Sequence, residues 1–328
     1  MFRSARACWL TLSLVVCAIP LRAENELSLN RRAADRGIAE AQYNLGRFYS
    51  DGMHSLPVDH ATAAQWYRRA AAQGLAVAQF NLGMAYAKGL GVAKDYREAY
   101  RWIERAAAQG DVAALTALGT AKIEGKGTTQ DYAGAAKALE VAAKRGDINA
   151  SAALGALYMS GLGVPKNMVR AVSLFRVAAD AGEPNAQHNL GLAYWRGNGV
   201  PASDQTAFSW FRKAADNGHA NALYLVSRAL LEGQVFSKNE QEARVFLAKA
   251  ANAGSANAQY DFGLALAKGD GFSVDLIEAL KWLTLANRQS IEGASKALQI
   301  VNTNLSDSQR KEAQHRISQW DRDRTASY

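Results

Sequence analysis

The side chains of this 328-residue chain best suited to acid–base or metal chemistry are five histidines, His54, His60, His188, His219 and His315. They are scattered, and only one cluster, Asp51, His54, Asp59 and His60, brings ligand types to close spacing. Such groups suit a divalent cation. The cluster also spans Gly52 and Pro57, and it reads better as a polar turn leading into a helix cap, so no metal is expected. His-Glu-x-x-His and Gly-x-Ser-x-Gly do not occur, so neither a zinc-peptidase pair nor a nucleophile elbow is present. The Gly-x-Gly-Val strings, such as Gly89-Leu90-Gly91-Val92, follow no strand pattern and precede no Lys-Ser/Thr. They are structural turns and not phosphate loops. Both cysteines, Cys8 and Cys17, lie in the first 23 residues. Residues 24–328 therefore carry no disulfide, thiolate metal site or cysteine nucleophile. No catalytic set and no cofactor is expected, and the chain does not read as an enzyme.

The elements that carry these residues are set by a repeat. Gly74, Gly110, Gly146, Gly182, Gly218 and Gly254 are each 36 residues apart, and Ala78, Ala114, Ala150, Ala186, Ala222, Ala258 and Ala294 keep the same step. Gly37 and Ala41 precede their columns by 37, the extra residue falling in the Asp51–Pro57 loop. A period in this range marks a stacked array of small supersecondary units. The units run about 38–74, 75–110, 111–146, 147–182, 183–218, 219–254 and 255–290.

Within the unit 75–110, Ala78, Leu82, Ala85 and Tyr86 fall on one face of a helix. Gly89 and Gly91 end it, where glycine accepts a positive φ. Asp95 with Glu98 opens a second helix in capping-box spacing, and Ala99, Trp102, Ala106 and Ala107 line its apolar face. Position 99 and its equivalents 63, 135, 171, 207, 243 and 279 are all Ala. Gly46, Gly83, Gly119, Gly155, Gly191 and Gly263 recur inside the first helix. A helical glycine costs about 1 kcal/mol against Ala, so its repetition implies a steric need. The large column Trp66, Trp102, Trp210, Phe246 and Trp282, interrupted by Ala138 and Leu174, is expected to fill the gap between successive hairpins.

The strings Ala78-Gln79-Phe80-Asn81-Leu82-Gly83, Tyr86, Gly89-Leu90-Gly91-Val92, Asp95, Ala99, Trp102 and Ala106–Gly110 resemble the Sel-one-like repeat, a relative of the tetratricopeptide repeat. They recur as Ala186–Gly191, Tyr194, Gly197–Val200, Ala207, Trp210 and Ala214–Gly218. The resemblance covers about residues 25–290. It implies an all-α fold, an α/α superhelical solenoid of about seven helical hairpins. It also implies an adaptor or scaffold role in protein–protein interaction and signalling, in an exported bacterial protein. Two units depart from the pattern. Unit 111–146 has Lys122 for Tyr and Ala138 for Trp, and unit 219–254 has Val226-Ser227 for Leu-Gly and loses one turn glycine.

Residues 25–37 match a second helix without a first, and 291–320 read as C-terminal capping helices with a polar outer face, as an exposed solenoid end requires. Residues 321–328 read as a flexible tail. At the other end, Arg3 and Arg6, the apolar run Trp9–Pro20 and Leu21-Arg22-Ala23 have the layout of a secretory signal peptide, 1–23. This makes the array 24–290 exported, with the periplasm as its expected compartment. Removing that segment takes three arginines and no acid, which lowers the formal charge from +8 to +5. Basic and acidic residues interleave, so nucleic acid is not an expected partner. No further stretch is long and apolar enough for a transmembrane segment.

In tetratricopeptide-like arrays the first helices line a concave face. Aligning on the Leu-Gly pair places Tyr43, Arg47, Phe80, Met84, Lys88, His188, Trp195, Arg196, Tyr224, Arg228, Tyr260 and Lys268 there. The partner-binding candidates are Trp195, Arg228, Arg196, His188, Tyr224, Tyr260, Arg47 and Lys88. Aromatic anchors beside cations are hot-spot chemistry. Tyr43, Phe80, Tyr224 and Tyr260 also recur with the repeat, which favours packing for them, whereas Trp195 and Arg228 break their columns. Cationic neighbours favour an acidic protein partner, of unknown identity, or a cell-wall glycan.

Overall fold

The computed structural model describes residues 26–233 and 235–325, and every regular element among them is a helix. The leader expected over 1–23, with Cys8 and Cys17, lies outside the described residues. The helices are α1 (26–35), α2 (Ala39–Asp51), α3 (His60–Ala72), α4 (Ala76–Lys88), α5 (Tyr96–Ala108), α6 (Val112–Glu124), α7 (Tyr132–Lys144), α8 (Ile148–Ser160), α9 (Met168–Asp180), α10 (Pro184–Arg196), α11 (Asp204–Asp216), α12 (Ala220–Glu232), α13 (Glu240–Ala253), α14 (Ala256–Lys268), α15 (Leu276–Arg288), α16 (Ala294–Thr303) and α17 (Asp307–Thr325). They form two compact units, Met1–Lys166 and Asn167–Tyr328. Within each, a first helix packs on the second helix of its own hairpin and on the second helix before it, as α4 does with α5 and α3, and α10 with α11 and α9.

Helix ends follow from single residue types. Each second helix is opened by a small polar residue, from Asp59 and Asp95 to Asn239 and Asp275, whose side chain accepts an N–H of the first turn. These bonds satisfy donors that a helix start leaves orphaned. The Asp95 box is one-sided. Glu98 N–H donates to Asp95, but the Glu98 carboxylate pairs with Arg101 at 2.6 Å, and Asp95 N–H donates to the Tyr86 carbonyl instead. First helices close on a left-handed glycine, such as Gly89 at φ 73°, whose N–H returns to the Ala85 carbonyl.

The core is a lattice of small residues around one large side chain per hairpin. Ala78, Ala106, Ala114, Ala135 and their equivalents are fully buried. The helix glycines face this large side chain. A Cβ on Gly191 would lie 2.5 Å from the Phe211 ring, and on Gly83 2.7 Å from Ile103. The expected large column divides: Phe246 and Trp282 are buried, and Trp102 packs partly buried against the core cluster that includes Tyr67 and Ala70 of the preceding hairpin. The gap opposite the glycine, inside each hairpin, is filled one position later, by Tyr67, Ile103, Leu139, Phe211 and Leu283, all buried. Trp66, Trp102 and Trp210 are only partly buried and stack under Arg69, Arg105 and Lys213. Successive residues on a helix differ by 100°, enough to exchange the core for its margin.

A second lattice is polar. Buried Gln42, Gln79, Gln187 and Gln259 each donate to the carbonyl eight residues before, at the end of the preceding helix. Each also accepts from the side chain that ends the second helix of its own hairpin: Gln73, Gln109, Asn217 and Gln289. Where the column is Leu115, Arg145 reaches the carbonyl of Gly110 directly. These amides add a second donor to helix-end carbonyls that already accept a turn N–H, and tie each hairpin to the helix before it.

The C-terminal cap also differs from expectation. α17 does not stop at Trp320 but runs to Thr325, so residues 321–325, expected in a flexible tail, are helical. Asp321 is held by Arg288 at 3.0 Å, and Arg324 donates to the Ala253 carbonyl. α17 packs on α15 through Ala313 and Ile317.

Candidate interaction surface

Furrows run between successive first helices in each unit. In the first unit, Ser50, Asn81, Met84 and Lys88 border one of about 150 Å³ with Tyr67 among its lining. The next, of about 380 Å³, lies between Met84 and Thr120, with Tyr100 and Ile103 from the second helix. In the second unit, Arg228, Leu231, Asp261, Leu264 and Lys268 border a furrow of about 510 Å³ between α12 and α14. The largest, about 740 Å³, lies between α14 and α16.

The expected site residues divide between the units. Arg47 and Lys88 belong to the first, are exposed, and lie on α2 and α4. His188, Trp195, Arg196, Tyr224, Arg228 and Tyr260 belong to the second. Trp195 is 43% exposed and rests edge-on against Phe208 and Phe211. Arg196 is exposed beside it. His188 is engaged. Its ring stacks on His219 at 4.2 Å, and burial, with the charge of His219, pushes its pKa down to about 4. His219 is likewise lowered by burial, and its Nδ1 accepts the Ala222 N–H as an N-cap, which requires an unprotonated Nδ1. Tyr224 donates to Asp261 at 2.8 Å. Arg228 pairs with Glu232 at 2.7 Å, so it is less available than its column break suggests. Tyr43 tilts against Tyr67, and Phe80 is partly buried. Tyr260 and Lys268 line the largest furrow together.

The residues proximal in sequence around 51–60 serve structure. His54 packs edge-on against Phe48 at 4.3 Å, and Asp59 caps α3 through the N–H and hydroxyl of Thr62. Among the described residues, no group of three or more His, Cys, Asp or Glu could hold a metal ion. Two features escaped sequence reasoning. Leu231 sits 36 residues after Trp195, at the same position of the next first helix, and is 38% exposed. It follows Ile123, Met159 and Trp195 in one apolar column, which was the available signal. Ser308 and Lys311 have the Ser-x-x-Lys spacing of some acyl-transfer nucleophiles, but both lie exposed in the first turns of the cap helix α17.

A helical-hairpin array with open furrows along one face is the architecture of an interaction solenoid. The chain belongs to the Sel1 repeat family, whose model matches residues 39–75, 76–111, 112–147, 148–183, 184–219, 220–255 and 256–290. Sel1 repeats are associated with protein–protein interaction and are typically non-catalytic. The fold is similar to that of a protective antigen present in uropathogenic Escherichia coli strains that displays an SLR fold. That match has 31% identity and a TM-score of 0.68, and covers 91% of this chain and 63% of that one. The chain thus spans less than two-thirds of that relative. A Sel1 repeat protein from Oxalobacter formigenes is also similar, at 31% identity and a TM-score of 0.61, over 69% of this chain and 96% of that one. No curated protein matches the chain. Among the described residues, no helix is long and apolar enough to cross a membrane.

Proposed function

We propose that this chain is an exported scaffold that holds a protein partner along its first-helix face within the bacterial envelope, in assembly or signalling. The observation that carries the binding role is the run of furrows, one of them bordered in the second unit by exposed Leu231, with exposed Trp195 at the same position of the first helix before it. A buried aromatic anchor with a polar rim gives most of the affinity in such interfaces, and Trp195 has cationic Arg196 beside it. Export rests on the basic and apolar layout of residues 1–23 and on the cysteine-free remainder. The similar E. coli protein is described as a protective antigen, which agrees with an exposed location. The periplasm is the compartment proposed.

The aromatic side chains that could stack on a glycan are largely occupied within the fold, Tyr224 by Asp261 and His188 by His219. A protein partner is therefore the reading the surface supports. Affinity capture from envelope extract tests it, with the wild-type protein beside the Trp195→Ala/Leu231→Ser variant. One protein retained by the wild type and lost from the variant, at unchanged helicity, is the expected result. Equal retention by both would remove this face from the interaction. Export is tested separately by fusing residues 1–40 to alkaline phosphatase, which is active only after translocation; an inactive fusion refutes it.

A further inference from the structure

The largest furrow differs in chemistry from its neighbour. Its walls are aliphatic, from Leu264, Val274, Leu276, Ile300 and Val301, and no Asp or Glu lines it. Val274 is 62% exposed and Ile300 57%, a large apolar area to leave beside water. Two ammonium groups, Lys268 and Lys296, also line it, and neither has an ion-pair partner among the described residues. The adjoining furrow is polar and internally neutralised, with Arg228 on Glu232 and Arg244 on Glu240. The shape is built and not incidental. α16 begins at Gly293, at φ 81°, and a Cβ there would lie 2.8 Å from the Tyr260 hydroxyl, so the glycine keeps that ring seated against the furrow.

We propose that the furrow between α14 and α16 takes an extended peptide segment of the protein partner. A large aliphatic or aromatic side chain packs on Leu264, Val274 and Ile300, and an adjacent carboxylate is bound by Lys268 and Lys296. This rests on the scaffold reading and deepens it. Charge complementarity selects the anion, because two unpaired cations flank an apolar wall that contains no acid. Continuity selects a peptide over an acyl chain. Leu264 and Lys268 also border the furrow between α12 and α14, so an occupant can run on along the face.

A phage-displayed random dodecapeptide library, panned on the purified protein, tests the assignment. Enriched sequences should place Asp, Glu or the C-terminal carboxylate next to Leu, Ile or Phe. A synthetic copy of the best should bind, and replacing its acid by the amide should weaken it about tenfold. The Lys268→Glu/Lys296→Glu variant should weaken it by about as much or more, and Ile300→Asp should also weaken it. Circular dichroism should not change in any of these, because all three side chains are exposed. A basic or acid-free consensus, undiminished binding by the lysine variant, or displacement of the peptide by equimolar decanoate would each overturn the proposal. If the partner captured from envelope extract binds the lysine variant as well as wild type, this site falls and the scaffold reading stands. If neither peptide nor partner binds wild type, both fall.

Discussion

At the scale of single residues, the stacked imidazoles of His188 and His219 carry a consequence for acid stability. Burial lowers the pKa of His188 from the ordinary 6.5 to about 4, so the folded chain binds fewer protons than the unfolded chain across that interval. Stability from this group is complete above about pH 6.5 and is lost as pH falls toward 4. The loss is on the order of 2 kcal/mol after allowance for partial solvent screening. His219 adds to it, since protonating its Nδ1 removes the cap on Ala222. His188→Tyr, which restores the residue found at Tyr224 and Tyr260, should flatten the melting temperature between pH 7 and 4.5; an unchanged profile would show that the pair does not titrate with unfolding. The pair also shows where sequence reasoning ends. His188 is on the first-helix face as the alignment places it, but its occupation by His219 depends on a ring 31 residues away, invisible in a column of types. Arg228 is alike: its break from the column is plain in the sequence, and its capture by Glu232 is not.

At the scale of elements, the repeat makes hairpins legible because each boundary rests on one residue type. The caps Asp59, Asp95 and Asp275 and the closing Gly89 stand where spacing puts them. The facing of two helices was less legible, and the large residue opposite each helical glycine, one position after the Trp column, was not picked out. Ser227 shows what the glycine column is for. Its hydroxyl donates to the Ala243 carbonyl at 2.8 Å, with Leu247 in the place that Phe211 has in the preceding hairpin. Gly191 faces the equivalent carbonyl of Ala207 but also the Phe211 ring. Gly191→Ser alone should therefore cost about 1–3 kcal/mol through overpacking. Combined with Phe211→Leu, it should recover part of that loss, a coupling of about 1 kcal/mol in urea titrations. Strict additivity would refute the steric account. The glutamine lattice gives a parallel test. Gln187→Leu removes one of the two bonds made by the Ala179 carbonyl and by the Asn217 amide, which keep the Gly182 N–H and the Gly182 carbonyl, and should cost about 0.5–1.5 kcal/mol. Adding Asn217→Arg, which copies Arg145 beside Leu115, should return part of it; no recovery would show that the register is fixed elsewhere.

At the scale of the molecule, the repeat pattern stops after residue 290, and the next helix breaks its rule. α16 carries Ala294, Ala297 and Leu298 as a first helix would, but at position 299 it has glutamine where six other first helices have glycine. No second helix can close on that side chain as Phe211 closes on Gly191. α17 instead packs on α15, burying Ala313 and Ile317, with Arg316 on Glu278 at 2.8 Å and Arg288 on Asp321 at 3.0 Å. Its outer residues Lys311, Glu312 and Gln314 face water, as a solenoid end requires. Stability in such an array is close to a sum of unit and nearest-neighbour terms, so damage to the cap should stay local. Ile317→Ala removes the fully buried side chain that joins α17 to α15 and should cost about 2–4 kcal/mol. In hydrogen exchange, amides of α15, α16 and α17 should lose protection first, those of α10 and α11 less, and those of the first compact unit least. Equal loss of protection from α2 to α17 would mean that the chain unfolds as one cooperative body and that the nearest-neighbour account is wrong. The same gradient bears on function, because the furrow between α14 and α16 is held by these last helices. A cap variant that loosens α16 should weaken an occupant of that furrow while leaving binding near Trp195 intact.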